Sequence, residues 1–124
     1  LIVVVIILIL QLMTPQPAIP VTYEPRPPLL QVDAKAVAKE LLTTKQYTCL
    51  NKLLSKESAW NPEAQNPTST ASGIGQILDT TYQGLGMKKT NAGVTQLVAT
   101  LSYIHRRWVT PCNAYDNFKN KGWY

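Results

Sequence analysis

Six of the chain's nine prolines fall between residues 14 and 28, in TPQPAIPVTYEPRPP. Proline fixes φ and lacks a backbone N–H, so neither a helix nor a central strand can run through this stretch. It reads as an extended spacer, about 3 Å per residue and roughly 45 Å when fully stretched. The chain therefore divides into an apolar segment at 1–13, a Pro-rich linker at 14–30 and one domain at 31–124. With about 95 residues, that domain has a workable but marginal core. At 45% hydrophobic and 15% charged, the chain lacks the low hydrophobicity and high charge of a disordered polymer. It is too short for a Rossmann or barrel enzyme. Two Cys and one His are too few for a structural zinc site of Cys and His type, and neither metal nor cofactor is expected.

Leu1–Met13 reads LIVVVIILILQLM, apolar except at Gln11. As a helix it spans about 20 Å, short of a ~30 Å hydrocarbon core. It fits the apolar region of a secretion signal, or a signal anchor if residues precede it. A buried strand is the alternative, because Ile and Val favour β structure. The expected location is exported: periplasmic, cell-envelope or extracellular, with membrane association through 1–13. The alternative is a virion component.

The domain reads as mostly α. Asp33 is a candidate N-cap for AKAVAKELLTT. A second helix is predicted from about Thr48 to Ser58, with Leu50, Leu53 and Leu54 on one face. WNPEAQNPTSTASGIGQILD reads as loop and turn. A short helix follows Asp79, a candidate N-cap, and ends near Gly84 or Gly86. From Ala92 to Val109, the residues Val94, Leu97, Val98, Leu101, Ile104 and Trp108 form one apolar stripe. Pro111 stops that helix and starts a last one ending near Gly122. Trp108 is expected in the core and His105 at its boundary.

Cys49 and Cys112 form a disulfide if the chain is exported, closing a loop of about 64 residues worth ~4 kcal/mol in the chain-entropy model. Two buried thiols in a cytosolic protein are the alternative.

Glu57 follows Leu50, Leu53 and Leu54 by seven, four and three residues, so it continues the apolar face of its helix. It also lies in the last turn, where the helix dipole disfavours an anion. Both effects raise a carboxyl pKa, as a general acid requires. The alternative is a Glu turned to solvent at a frayed helix end.

The stretch KESAWNPEAQNPTSTASGIGQIL, Lys56 to Leu78, resembles the signature of lytic transglycosylases of the lysozyme-like superfamily. Glu57-Ser58 matches the family's Glu-Ser pair at a helix end, and Gly73-Ile74-Gly75-Gln76 its G-x-x-Q turn. Ser102-Tyr103-Ile104 resembles its later Tyr-bearing helix. Ala114-Tyr115 resembles its Ala-Tyr-Asn motif, with Asp116 in place of Asn. Asn66 stands where many members have Ser, and Gly75 where Met is common. PCNAYDNFKNKGWY looks most like domains of phage tail proteins and secreted actinobacterial proteins.

The resemblance implies a small lysozyme-like domain with little or no β structure that acts on peptidoglycan glycan strands. The bond would be β-1,4 between N-acetylmuramic acid and N-acetylglucosamine. One Glu would protonate the leaving oxygen, then take the C6 hydroxyl proton as that oxygen attacks C1, giving a 1,6-anhydro sugar. The alternatives are a lysozyme-type hydrolase, and a non-enzymatic wall-binding part of a phage or secretion apparatus. Ordinary glycosidases use two carboxylates; Glu63, Asp79 and Asp116 are the candidates for a second.

Substrate contacts are considered for Ser58, Trp60, Gly73, Gln76, Tyr103 and Tyr115. Each has an ordinary structural alternative: a backbone-bonded hydroxyl, a packing ring, a turn glycine or a turn-stabilising amide. The net charge of +5 belongs to the domain, since Glu24 and Arg26 cancel in the spacer. No basic stripe interleaved with aromatics points to nucleic acid. An anionic wall would attract such a domain, and phage tail or secretion-machine proteins are further partner candidates.

Overall fold

In the computed structural model, residues 15, 17–22 and 33–124 are described. The apolar segment 1–13 and most of the linker lie outside the described residues. Pro15 and Pro17–Thr22 are exposed and carry no regular secondary structure, in keeping with a proline-spaced strand of chain.

Five helices are found among the described residues: α1 (Ala34–Leu41), α2 (Thr44–Ser58), α3 (Asp79–Leu85), α4 (Gly93–Trp108) and α5 (Pro111–Lys121). Asp33 caps α1 by accepting from the Lys35 N–H at 3.0 Å. The predicted continuation of α1 through Thr44 does not form. Thr43 instead leaves the helical region and its hydroxyl accepts from the Gln46 N–H at 3.3 Å, starting α2 four residues before the predicted Thr48. The apolar leucines begin a turn later, so periodicity alone placed that start too late. Thr110 caps α5 by accepting from Asn113 N–H at 3.2 Å, with Pro111 in its first turn, and Gly122 ends it at φ 79°.

Two other expectations need correction. Asp79 does not cap α3; it lies inside the first turn, and its carboxylate pairs with Lys89 Nζ at 2.7 Å. An acid there still suits the helix dipole. On α4, Val98 is 48% exposed, while Gln96, Ala99 and Thr100 are buried. The buried face is rotated away from the apolar stripe because the two polar side chains are hydrogen-bonded inside.

Leu50, Leu53 and Leu54 of α2 meet Leu97 and Ile104 of α4, Ala34 and Ala38 of α1, Ala114 of α5 and Ile74 of the long loop in one buried cluster. Trp108 packs against this cluster half-buried, and His105 is exposed. Ile77, Tyr82 and Ala99 form a second, smaller cluster with Tyr103 against it. β-type backbone pairing is confined, among the described residues, to isolated bridges of Ser72 with Gln65 and Ile77.

The Cys49–Cys112 disulfide joins α2 to the start of α5 across 63 residues of sequence. Gln46 Oε1 reinforces the same junction by accepting from the Cys112 N–H at 3.0 Å. A small core gains most from such a long-range link. A Cys49→Ala/Cys112→Ala chain should lose about 2–5 kcal/mol of stability in urea unfolding. A loss under about 1 kcal/mol would show that helix packing alone holds α2 on α5.

Candidate active site

Glu57 sits half-buried in the last turn of α2. The helix stops there because Ala59 and Trp60 both take left-handed backbone conformations, at φ 52° and 59°. Two successive non-glycine residues in that region are uncommon and cost energy, so the surrounding contacts must hold them. Trp60 is held by packing on the main core, with its indole N–H donating to Asn51 Oδ1 at 3.0 Å and Lys35 Nζ 5.9 Å from its ring. Ser58 ties the helix end to the following turn. Its hydroxyl lies 2.7 Å from the Ile74 carbonyl oxygen and 3.4 Å from that of Leu54.

The Gly73–Gln76 turn is fixed from beneath by Gln96. The Ile74 N–H donates to Gln96 Oε1 at 2.9 Å, while Gln96 Nε2 donates to the carbonyls of Pro62 at 2.9 Å and Thr90 at 2.8 Å. Gly73 has φ 75°, and a Cβ there would run into the Gln96 amide; a Cβ on Gly75 would run into Thr100. Both glycines are therefore required by close approach. Gln76, at φ 50°, donates from Nε2 to the carbonyls of Gly73 at 2.9 Å and Ala64 at 3.2 Å. Its amide nitrogen holds the turn.

Beyond the turn is a hollow of about 110 Å³, walled by Gly75, Gln76, Thr81, Tyr103 and Tyr124 among others. Tyr124 is the residue that sequence reasoning missed. Its hydroxyl donates to the Gly75 carbonyl, and its own carbonyl accepts from Tyr103 Oη at 3.0 Å. The two rings meet edge to face at 5.7 Å. Burial pushes the Tyr124 phenol well above its ordinary pKa, with the negative charges of Glu57, Tyr103 and Tyr82 adding to it. Tyr124 therefore stays protonated as a donor within the electrostatic reach of Glu57. Only an aromatic pair after a helix-ending glycine, Gly122-Trp123-Tyr124, hinted at this.

Tyr115 lies elsewhere, against the main core with Lys119 Nζ 5.0 Å from its ring. Gln96 was also missed; nothing in the sequence separates it from a solvent-facing glutamine.

Burial raises the Glu57 pKa, and no neighbouring charge contributes to that shift. The reason is one of order: Tyr124 is still neutral when Glu57 titrates, whereas Glu57 is already charged when Tyr124 would. Two of the three other carboxylates considered are engaged in ion pairs. Asp79 pairs with Lys89 and Asp116 with Lys119 at 3.0 Å. Glu63 lines a larger hollow of about 370 Å³ with Pro62, Gln65, Ser72 and Asn91. That larger hollow has neither Glu57 nor Tyr124 in its wall. The smaller hollow has Tyr124 in its wall, and Glu57 lines neither of the two.

The sequence model of the family described as Transglycosylase SLT domain matches residues 37–121. The chain belongs to that family. The match takes in α2 with Glu57-Ser58, the Gly73–Gln76 turn, α3, α4 and α5. No curated protein and no solved structure matches the chain. As a transglycosylase SLT domain it has a lysozyme-like, peptidoglycan-degrading function of the glycosidase or lyase kind.

Two outcomes follow from the geometry of this SLT domain. Gln96→Leu would leave the Ile74 N–H and the Pro62 and Thr90 carbonyls without their partner, so it should cost roughly 2–4 kcal/mol in urea unfolding. A variant as stable as the parent would remove Gln96 from its anchoring role. Glu57 gives a pH signature. Folding raises its pKa, so the folded chain keeps a proton that the unfolded chain loses above about 4.5. Ionising Glu57 therefore lowers stability as pH climbs from there through the raised value. Glu57→Gln should match the parent below about pH 4 and gain on it toward neutrality; a constant gap in melting temperature from acid to neutral pH would contradict the shift.

Proposed function

We propose that this SLT domain is a peptidoglycan lytic transglycosylase acting on the β-1,4 bond between N-acetylmuramic acid and N-acetylglucosamine, with Glu57 as its one acid and base. The observation that carries this is a half-buried carboxyl in the last turn of α2, its pKa raised by burial, inside the family match, while Asp79 and Asp116 are held by lysines. Two-carboxylate glycosidases need a partner acid within about 5–9.5 Å. A single carboxyl suffices when the nucleophile belongs to the substrate itself.

In the first step Glu57 gives its proton to the glycosidic oxygen as the bond from C1 breaks. The carboxylate then accepts the proton of the muramyl C6 hydroxyl, whose oxygen bonds to C1. The product is a 1,6-anhydro end, no water is consumed, and Glu57 is again protonated. A raised pKa suits an acid that must work in both directions near neutral pH.

Around this centre, Ser58 positions the helix end and the two glycines let the turn approach the strand. Gln76 keeps its carbonyl oxygen free to accept from a sugar amide. Tyr103 and Tyr124 wall the hollow. The observed contacts of Trp60 and Tyr115 favour packing roles for both. Export of the domain, with 1–13 as signal or anchor, belongs to the same proposal; a long-range disulfide suits an oxidising compartment.

Digestion of purified peptidoglycan followed by mass measurement of the fragments tests the reaction. Anhydro ends are expected, and activity should fall as pH rises through the elevated Glu57 pKa. Reducing ends would mean hydrolysis by water, and intact peptidoglycan a non-enzymatic role. Glu57→Gln should lower the rate by at least about 100-fold; full activity in that variant would remove the assignment.

A further inference from the structure

Arg107 stands one turn after Tyr103 on the same face of α4. Its guanidinium carbon lies 5.2 Å from the Trp123 ring, 5.4 Å from Trp108 and 6.0 Å from Tyr103. Trp108 and Trp123 lean on each other at 6.1 Å. Arg107 is exposed and has no carboxylate partner; the ion pairs among the described residues are Lys89–Asp79 and Lys119–Asp116. Trp123 leaves 48% of its surface in solvent. The proposed reaction uses neither residue.

The patch adjoins the hollow that lies beyond the glycine turn. Tyr103 forms part of the hollow's wall and also touches Arg107. Trp123 immediately precedes Tyr124, and Asn117 Nδ2 holds this tail by donating to the Trp123 carbonyl at 2.8 Å. An exposed indole offers a flat apolar face to the C–H face of a sugar ring. A guanidinium held in place by aromatic rings keeps its N–H fork for a carboxylate.

We propose that Trp123 and Arg107 form an outer subsite of the same cleft, where the indole stacks on one sugar of the strand and the guanidinium pairs with a carboxylate on a sugar side arm. This rests on the glycan-cleaving reading above. On a peptide-free strand the carboxylate is that of the lactyl arm. On an intact strand it is supplied by the stem peptide joined to that arm. A neutral glycan gives Arg107 no ionic partner, so the subsite favours muramyl strands over uncharged ones.

Binding separates these terms. The Glu57→Gln chain, with and without a second substitution, would be titrated calorimetrically with three probes. These are peptide-free muramyl strands, peptide-bearing strands and a chitooligosaccharide of equal length. Trp123→Ala should weaken all three about tenfold, and Trp123→Phe should recover most of that loss. Arg107→Gln should weaken charged strands about tenfold and the chitooligosaccharide less than about twofold. Loss on peptide-free strands assigns the carboxylate to the lactyl arm; loss on peptide-bearing strands alone assigns it to the stem peptide. The subsite is overturned if both variants bind like the parent, or if Arg107→Gln weakens the uncharged sugar equally. With a parent that binds and cleaves, those results leave the proposed reaction standing. A parent that neither binds nor cleaves any strand removes both.

Discussion

Three stretches of irregular backbone meet on one buried amide. Gln96 receives the Ile74 N–H and gives its own two hydrogens to Pro62 and Thr90, so the loop after α2, the glycine turn and the entry to α4 share a single anchor. A buried amide so completely paired is stable in place, while any displaced version strands several polar groups away from water. The glycines follow from it: Gly73 must yield space to the Gln96 amide and Gly75 to Thr100, whose hydroxyl bonds back to the Gln96 carbonyl at 2.8 Å.

From this anchor the arrangement propagates to Glu57. Gln96 fixes Ile74, Ile74 accepts from Ser58, and Ser58 terminates α2 beside the carboxyl. The left-handed pair Ala59-Trp60 turns the chain away at once, which leaves Glu57 at the edge of the apolar face. On the other side, Tyr124 reaches the same turn through Gly75. The half-buried acid thus stands at a helix end tied to a turn that the terminal aromatic tail also reaches. Partial removal of solvent at this position is what raises its pKa.

The scaffold achieves this with a small core. Most of the fully buried large side chains come from α2 and α4, and the disulfide fastens α5 across α2. Side-chain hydrogen bonds to the backbone gather on the long loop, because helices satisfy their own N–H and C=O groups whereas the loop cannot.

Local patterns in the sequence were enough to show a mainly helical domain and to place most of its helices. Leucine spacing put Glu57 at the half-buried end of α2, and Pro111 and Gly122 bounded α5, because each depends on near neighbours in the chain. Helix starts governed by a threonine cap were less legible, since Thr43 looks alike as cap or helix interior until its hydroxyl finds a partner. What only the tertiary structure decided were the long-range partners. It buried Gln96 and Thr100 while exposing Val98, gave Asp79 to Lys89, set Tyr115 against the core, and brought Tyr124 from the far end of the domain to the Gly75 carbonyl. Such choices depend on which polar groups are left unpaired when distant segments pack, and no local pattern carries that information.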